Sequence, residues 1–183
     1  MSIPGTTRLR LMKKFRFQLL AEWIRANYLP CRVADIGGGK GLLSHLLNQA
    51  GFECTVIDPL EQALPVKYRE IDGKRVKTGE IGKVARISAN FEKEMAAGYD
   101  LLVGLHAHGS NLKVIDACVE FGKKFVLVPC CLFDEPVVRV PGLDWFDSLE
   151  SCARRKGLKL ERFELNFRGK NRGLYLARRS EQT

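Results

Sequence analysis

The amino-acid sequence predicts an α/β protein with a mostly parallel sheet and helices on both faces of that sheet. Short apolar runs alternate along the chain with amphipathic segments, and the run at 125–128 is apolar at every position. A glycine cluster also joins one apolar run to a helix-like segment. Continuous apolar runs are typical of buried parallel strands, and their alternation with helices favours right-handed crossovers. In such sheets, ligands bind at the carboxyl ends of the strands.

Each element is predicted from the spacing of apolar residues and from the residues that end it. A first helix over 8–28 ends before Pro30, because the residue before a proline avoids the helical region. Gly51 ends a second helix, over 41–50. The other predicted strands and helices are strands over 32–36, 53–57, 84–88, 100–105 and 125–128, and helices over 111–123 and 143–155. The polar stretch 60–83 is either a loop or a short hairpin.

Two strands close the chain, over 159–167 and 173–178. The connector between them has five residues and contains glycine, which favours an antiparallel hairpin. The length of 183 residues suits one domain with a sizeable core. Because no repeat or linker divides the chain, we predict a single domain over 1–183, with a basic N-terminal helix in 1–30 and the core in 31–183.

The composition is typical of a soluble globular protein, with 45% hydrophobic and 28% charged residues. No apolar run approaches the roughly 20 residues that a membrane span needs, and the N-terminus lacks the apolar core of a secretory signal. We therefore expect a cytoplasmic protein. None of the six cysteines belongs to a Cys-x-x-Cys pair, and there are three histidines. The spacing thus predicts neither a disulfide framework nor a metal site.

The net charge of +9 favours a polyanionic partner, although a solvated basic face is the alternative. The basic residues fall into three groups: Arg8, Arg10, Lys13, Lys14 and Arg16 near the N-terminus, Lys67, Arg69, Lys74, Arg75 and Lys77 after the second strand, and Arg168, Lys170 and Arg172, with Asn171, at the final connector. Such groups can contact the phosphates of RNA.

The glycine cluster has the pattern Asp35-x-Gly37-x-Gly39-x-Gly41 between a strand and a helix. Glycine permits positive φ and close approach of the backbone to a ligand, and the helix N-terminus attracts an anion. Asp58, at the end of the second strand, can accept both hydroxyls of a ribose. The pattern departs from the dinucleotide and phosphate-loop fingerprints. The Asp35 carboxylate also suits a cationic sulfonium or amino group better than a pyrophosphate.

Residues 35–41 resemble the first motif of class I S-adenosylmethionine-dependent methyltransferases, and Asp58 matches the acidic residue at the end of their second strand. The resemblance covers almost the whole chain and implies a Rossmann-like, seven-stranded sheet with an antiparallel C-terminal hairpin. It also implies S-adenosylmethionine as the cofactor, with Asn90 standing where that family usually has an acidic residue. The predicted cofactor site comprises Asp35, Gly37, Gly38, Gly39, Gly41, Asp58, Asn90, Phe91, Gly104 and His106.

Further polar residues follow the fourth and fifth predicted strands, on the side where the methyl acceptor would bind. His106 is the first candidate for a group that removes a proton, whereas His108 could equally be a solvated loop residue. Cys130 and Cys131 could supply a nucleophile to a pyrimidine ring, or they could serve packing and substrate shaping. The predicted catalytic residues are therefore His106, Cys130 and Cys131.

The segments Gly104-Leu105-His106 and 128–133 together are similar to eukaryotic tRNA ribose 2′-O-methyltransferases. Those enzymes carry a Pro-Cys-Cys-Phe-Phe-like segment after a Gly-x-His strand end. This second resemblance implies an RNA substrate, with tRNA favoured and a ribose hydroxyl as the acceptor. The Lys-Asp-Lys-Glu tetrad of other 2′-O-methyltransferases is not evident. Two alternatives stay open: a methyltransferase for small molecules or proteins, and a non-catalytic RNA-binding or partner subunit with the same fold.

Overall fold

The computed structural model describes residues 9–79, 84–131, 134–136 and 139–176. Its main sheet has seven strands in the order β5-β2-β1-β6-β7-β9-β8. The strands are β1 (Arg32–Ile36), β2 (Glu53–Ile57), β5 (Ala85–Ile87), β6 (Leu101–Leu105), β7 (Lys124–Val128), β8 (Leu160–Glu164) and β9 (Arg172–Leu176). A separate two-stranded hairpin is made of β3 (Lys67–Arg69) and β4 (Arg75–Lys77). The first five strands of the main sheet are parallel, and β9 is antiparallel to both β7 and β8.

Among the described residues, four α-helices cover the two faces of the sheet; the first precedes β1 and the other three lie between strands, as the sequence predicts. They are α1 (Arg16–Asn27), α2 (Leu42–Gln49), α3 (Asn111–Phe121) and α4 (Trp145–Arg155). Side chains of α1 and α2 pack on one face, against Val33 and Val103. Those of α3 and α4 pack on the other, against Ala34 and Leu102. Because successive residues of a strand point to opposite faces, each buried strand contributes to both cores. The predicted fold class is confirmed.

The C-terminal hairpin is fixed to the first helix by aromatic contacts. The ring of Trp23 stacks on Phe163, with centroids 4.0 Å apart, and meets Tyr175 edge-on at 5.0 Å. Gly173 lies directly opposite Phe163 in the β8–β9 pairing. A side chain at Gly173 would overlap the Phe163 ring and come within 2.9 Å of the Leu127 carbonyl oxygen. The stack therefore depends on the absence of a side chain at this position.

The structure corrects the predicted start of the first helix. Lys13–Phe15 form a short 3-10 turn and α1 begins at Arg16, whereas the prediction began at residue 8, which lies outside the described residues. The backbone of Leu11 instead bonds to Asn166 and Arg168. This tertiary pairing uses the hydrogen-bonding groups that a helix would need, so the chain is extended there.

Two further segments refine the prediction. The stretch after β2 contains the short hairpin of β3 and β4, which was one of the two options. A 3-10 helix over Lys93–Gly98, which the sequence pattern did not indicate, precedes β6. No helix among the described residues is both long and apolar enough to cross a membrane.

We predict that Gly173→Ala lowers the free energy of unfolding by about 1–3 kcal/mol, because the added methyl group must displace the Phe163 ring. Urea denaturation of the variant measures the change. Gly98→Ala is the matched control, since a Cβ there meets nothing within 4 Å, and its expected effect is within about 0.5 kcal/mol. Equal effects of the two substitutions would contradict the packing argument.

Candidate cofactor and acceptor site

The predicted site residues come together at one edge of the sheet. Strands β1, β2, β5, β6 and β7 are mutually parallel, so the segments that follow them all leave from the same edge. The glycine loop follows β1, Asp58 follows β2, Asn90 follows β5, His106 follows β6 and Cys130 follows β7. This edge is where open α/β sheets bind their ligands.

The glycine loop depends on backbone conformations that favour glycine. Gly37, Gly39 and Gly41 have φ values of +64°, +53° and +78°. A Cβ on Gly37 would come within 3.0 Å of Ala107, in the segment after β6, whereas a Cβ on Gly39 would meet nothing within 4 Å. Gly41 is the N-cap of α2, and no side chain caps this end of the helix. The loop is thus packed at its start and open at Gly39, beside a helix N-terminus.

Asp35 supports the loop from below. Its carboxylate is buried and accepts hydrogen bonds from the Ser44 hydroxyl, at 2.7 Å, and from the Ser44 backbone amide. A Cβ added at Gly38 would lie 2.6 Å from this carboxylate. Burial raises the pKa of this carboxyl to about 6, because a charge is costly away from water. In this arrangement Asp35 touches the underside of the loop, and direct contact with a ligand stays a prediction.

Asp58 joins the end of β2 to the open part of the loop. One carboxylate oxygen accepts the Gly39 amide and the other the Leu60 amide, each at 2.8 Å. A carboxylate has about four lone-pair sites, so both oxygens can accept a further hydrogen bond from a ribose hydroxyl. The predicted contact of Asp58 with a ribose stays a prediction.

Arg86 on β5 is a site residue that the sequence analysis missed. Its guanidinium donates to the carbonyl of Gly39 in the glycine loop and to the carbonyls of Leu60 and Gln62 after β2. It therefore holds two segments of the edge in a fixed relation. An arginine within a predicted strand gives no sign of such contacts, since all its partners are distant backbone atoms.

Three other predicted cofactor residues differ in how exposed they are and in what they pack against. Asn90 is exposed after β5, but Phe91 is 2% exposed and belongs to the core. At Gly104 a Cβ would overlap the Leu127 side chain at 2.7 Å. Packing between β6 and β7 thus explains the glycine, and its contact with a ligand remains a prediction.

His106 is half-buried at the end of β6 and has a φ of +59°, which is uncommon and strained for a residue with a side chain. Its Nε2 lies 2.8 Å from the Lys170 carbonyl oxygen. Because a carbonyl only accepts, Nε2 carries the hydrogen and Nδ1 is the basic nitrogen. Burial lowers the pKa of His106 and outweighs the hydrogen bond to the Lys170 carbonyl, which raises it; the charges of Lys13 and Arg16 lower the pKa further. The ring is therefore neutral near pH 7.

The two cysteines lie beside His108 and not beside His106. The Sγ atoms of Cys130 and Cys131 are 3.7 Å apart and approach the His108 ring to 3.4 Å and 3.2 Å. Burial, with the hydrogen bond to Cys131, raises the pKa of Cys130 to about 11. A thiol with this pKa is protonated at neutral pH, which disfavours the predicted role of Cys130 as a nucleophile.

Arg8 lies outside the described residues; from Arg10 onward, the segments that carry the three basic groups are joined near the start of α1. Leu11 pairs with Phe167, which brings the N-terminal cations to the final connector, and Gln18 donates to the backbone carbonyl of Arg69 on β3. Two of the cations form surface ion pairs, Arg10 with Glu164 and Arg172 with Asp144. Such pairs contribute about 0–1 kcal/mol and can exchange for phosphate contacts.

The β3–β4 hairpin forms what we call the basic ribbon, defined by Lys67, Arg69, Arg75 and Lys77. Lys67 lies opposite Lys77 and Arg69 opposite Arg75, and all four are exposed. Within the part of the chain that the structure describes, none of the four forms an ion pair. Like charges directly opposite each other destabilise a hairpin, so the basic ribbon concentrates positive charge at a cost in stability.

Two cavities lie near these features, and neither is lined by the glycine loop. One of about 160 Å³ adjoins Pro129 after β7, and its other lining residues are Trp145, Gly169, Lys170, Asn171 and Arg172. The larger, of about 380 Å³, lies between α1, α2 and the hairpin residues Tyr68 and 70–72. The predicted cofactor site is therefore formed by the backbone and charged groups of the glycine loop. The smaller cavity offers an aromatic and basic surface on the acceptor side.

We predict that Asp35 makes stability depend on pH. Because folding raises its pKa from 3.8 to about 6, the folded state binds this proton more tightly than the unfolded chain. The resulting stability is full below about pH 4 and is lost as pH rises through about 6. Relative to Asp35→Asn, the free energy of unfolding of the unsubstituted chain should fall by about 3 kcal/mol over this range. Denaturant titrations at several pH values test this, and parallel curves would contradict it.

The sequence resembles a known protein over part of its length. No protein-family model matches the chain. A probable tRNA (uracil-O(2)-)-methyltransferase of Caenorhabditis elegans is 30% identical over 118 residues, which are 62% of this chain and 20% of that protein. The chain thus spans about a fifth of the length of this curated relative.

Solved structures of methyltransferases resemble the chain along most of its length. The ribosomal protein L11 methylase of Lactobacillus delbrueckii subsp. bulgaricus has a TM-score of 0.51 and 16% identity, covering 94% of this chain and 82% of its own. Magnesium protoporphyrin IX methyltransferase of Synechocystis PCC 6803, solved with bound S-adenosylmethionine, has a TM-score of 0.55 and 15% identity, covering 89% and 77%. Together with the strand order, these similarities show that the chain has the fold of the class I S-adenosylmethionine-dependent methyltransferases.

Proposed function

We propose that the chain is an S-adenosylmethionine-dependent methyltransferase that acts on RNA, with tRNA favoured and a ribose 2′-hydroxyl as the acceptor. The observation that carries the first part is the glycine loop at the carboxyl end of β1. It combines positive φ at three glycines, the Asp58 carboxylate at Gly39 and the N-terminus of α2. In this proposal the protein works in the cytoplasm, where its six cysteines stay reduced.

The residues present fit this cofactor. Asp58 would accept the ribose hydroxyls, and the backbone amides at the start of α2 would bind the carboxylate of the methionine part. The open space at Gly39 admits a ligand close to the backbone. The exposed Asn90 is the candidate for the adenine side, and the buried Phe91 beside it would support that side from the core. When bound, the cofactor supplies an electrophilic methyl group, so the protein needs chiefly to align the acceptor with it.

His106 is the group that we assign to the acceptor proton. The bond from Nε2–H to the Lys170 carbonyl orients the ring and leaves Nδ1 as its basic nitrogen. Because the lowered pKa keeps the imidazole neutral, Nδ1 can accept a proton from a hydroxyl near pH 7. The bond also ties this histidine to the basic connector, so binding of an anionic substrate there would affect the position of the ring.

The basic ribbon and the cations around α1 support RNA as the acceptor. Like-charged pairs on the ribbon suit a row of phosphates better than a small molecule. The similarity to a probable tRNA methyltransferase supports the same substrate class. The rival proposals are a methyltransferase for small molecules or proteins, and a non-catalytic subunit that binds RNA without transferring a methyl group.

Transfer of label from methyl-labelled S-adenosylmethionine separates these possibilities. We expect label in total tRNA, and alkaline hydrolysis should leave it in a hydrolysis-resistant dinucleotide, because a 2′-O-methyl group blocks cleavage. Label only in protein or in small molecules would exclude an RNA acceptor. RNA binding without cofactor binding or transfer would support the non-catalytic subunit.

The variant Asp58→Asn tests the ribose assignment. Its amide retains an acceptor for one backbone amide but lacks the second carboxylate oxygen. We expect at least about tenfold weaker cofactor binding by calorimetry, since a charged hydrogen bond contributes about 1.5–3 kcal/mol. Asp116→Asn, on α3 and paired with Lys156, is the matched substitution and should bind normally. Thermal unfolding of both variants checks that the fold is intact, and unchanged binding in Asp58→Asn would refute the ribose assignment.

The basic ribbon gives a separate prediction. The double substitution Arg75→Gln with Lys77→Gln should weaken tRNA binding and lower the slope of log affinity against log salt by about 2, which is one for each lost phosphate contact. Lys123→Gln with Lys124→Gln is the matched control, since it removes the same charge at the opposite edge of the sheet, where β7 begins. Equal losses in the two double variants would indicate a non-specific effect of net charge.

A further inference from the structure

Three side chains with metal-binding atoms meet beside the acceptor side of the site. His108 lies in the segment after β6, and Cys130 and Cys131 follow β7. One ligand atom from each of the three lies within 4.8 Å of the others. The spacing of the sequence predicted no metal site, because the histidine is 22 residues from the nearer cysteine and no Cys-x-x-Cys pair exists.

The distances within this cluster are those of ligands around a single ion. In a tetrahedral zinc site, two sulfur atoms are about 3.8 Å apart and a sulfur and a nitrogen about 3.5 Å, as follows from Zn–S and Zn–N bonds of about 2.3 and 2.05 Å. Here the two Sγ atoms are 3.7 Å apart. The Nδ1 atom of His108 is 3.8 Å from the Sγ of Cys130 and 3.2 Å from that of Cys131. The Sγ of Cys130 is also 3.4 Å from Nε2, whereas a sulfur bound to an ion on Nδ1 would lie about 5 Å from Nε2, so the His108 ring must turn when the ion binds.

The backbone holds the two segments that carry these ligands in a fixed relation. The amide of His106, two residues before His108, donates to the Val128 carbonyl at 2.9 Å, and Gly104 pairs with Leu127 in the sheet. A Cβ on Gly109 would lie 3.4 Å from the side chain of Asp134, so the segments also meet beyond the ligands. Ligands fixed on adjoining strand ends lose little entropy when they bind a metal.

We propose that His108, Cys130 and Cys131 bind one zinc ion through Nδ1 and two thiolates, with the fourth position taken by water. Thiolate and imidazole ligands select zinc and similar soft ions over magnesium or calcium. Binding releases the two thiol protons to solvent. The ion joins the segment after β6 to that after β7, through a histidine two residues beyond His106. This site is independent of the proposed methyl transfer, and the cofactor residues take no part in it.

Cobalt(II) titration of the reduced, metal-free full chain tests the site, because tetrahedral thiolate coordination gives intense visible and near-ultraviolet bands. We expect one ion per chain and displacement of the bands by zinc. The variants Cys130→Ser, Cys131→Ser and His108→Gln should each bind cobalt at least about tenfold more weakly. Cys31→Ser and Cys152→Ser, at two partly exposed cysteines elsewhere, are the matched controls and should bind normally.

A second measurement uses the unsubstituted chain and does not depend on how the variants fold. Zinc should protect Cys130 and Cys131, but not Cys31 or Cys152, from alkylation as read by mass spectrometry. Octahedral cobalt spectra, bands that survive in His108→Gln and Cys131→Ser, or equal alkylation with and without zinc would each overturn the proposal. Cofactor calorimetry with Asp58→Asn decides the methyltransferase proposal separately, so the two can fail independently.

Discussion

The loop between β1 and α2 takes its shape from three charged side chains of different strands. Asp35 lies beneath it, Asp58 accepts the amide of Gly39, and Arg86 donates to the carbonyl of the same glycine. Both polar groups of Gly39 are therefore bound by side chains from β5 and from the end of β2. The loop needs neighbouring strands in register before it can form, so the parallel pairing of β1, β2 and β5 is a condition for the site.

The edge of the sheet has two sides with different chemistry. Around β1, β2 and β5 it offers carboxylates, glycines and a helix N-terminus, which suit a ligand with hydroxyls, an amino group and a carboxylate. Around β6 and β7 it offers a neutral imidazole, soft sulfur atoms and nearby cations. His106 lies at the boundary, because it follows β6, the strand between β1 and β7. A proton acceptor is useful at such a boundary, where the methyl group and the acceptor would meet.

The sequence predicted the order of the elements well because burial on the two faces of a parallel sheet leaves a regular apolar pattern. It also predicted that Asp58 and the glycines lie at the ends of β2 and β1, since their positions follow from the local pattern of strand and turn. The predicted start of α1 was wrong because the backbone of Leu11 forms hydrogen bonds with residues 166 and 168, far along the chain. The bonds of Arg86 and the meeting of His108 with two cysteines likewise depend on tertiary contacts. Spacing along the sequence contains no information about them.

Asp35 shows why a carboxylate can be kept where it lowers stability. An asparagine could also accept the Ser44 hydroxyl, and it would avoid the cost of burying a charge. With a pKa of about 6, however, most of the Asp35 carboxyl groups are ionised at neutral pH. The charge lies directly under Gly38, and electrostatic attraction acts across a low-dielectric interior without direct contact. In the proposed complex it would favour the cationic sulfonium and amino groups of the cofactor, so the stability lost on ionisation would be recovered as binding.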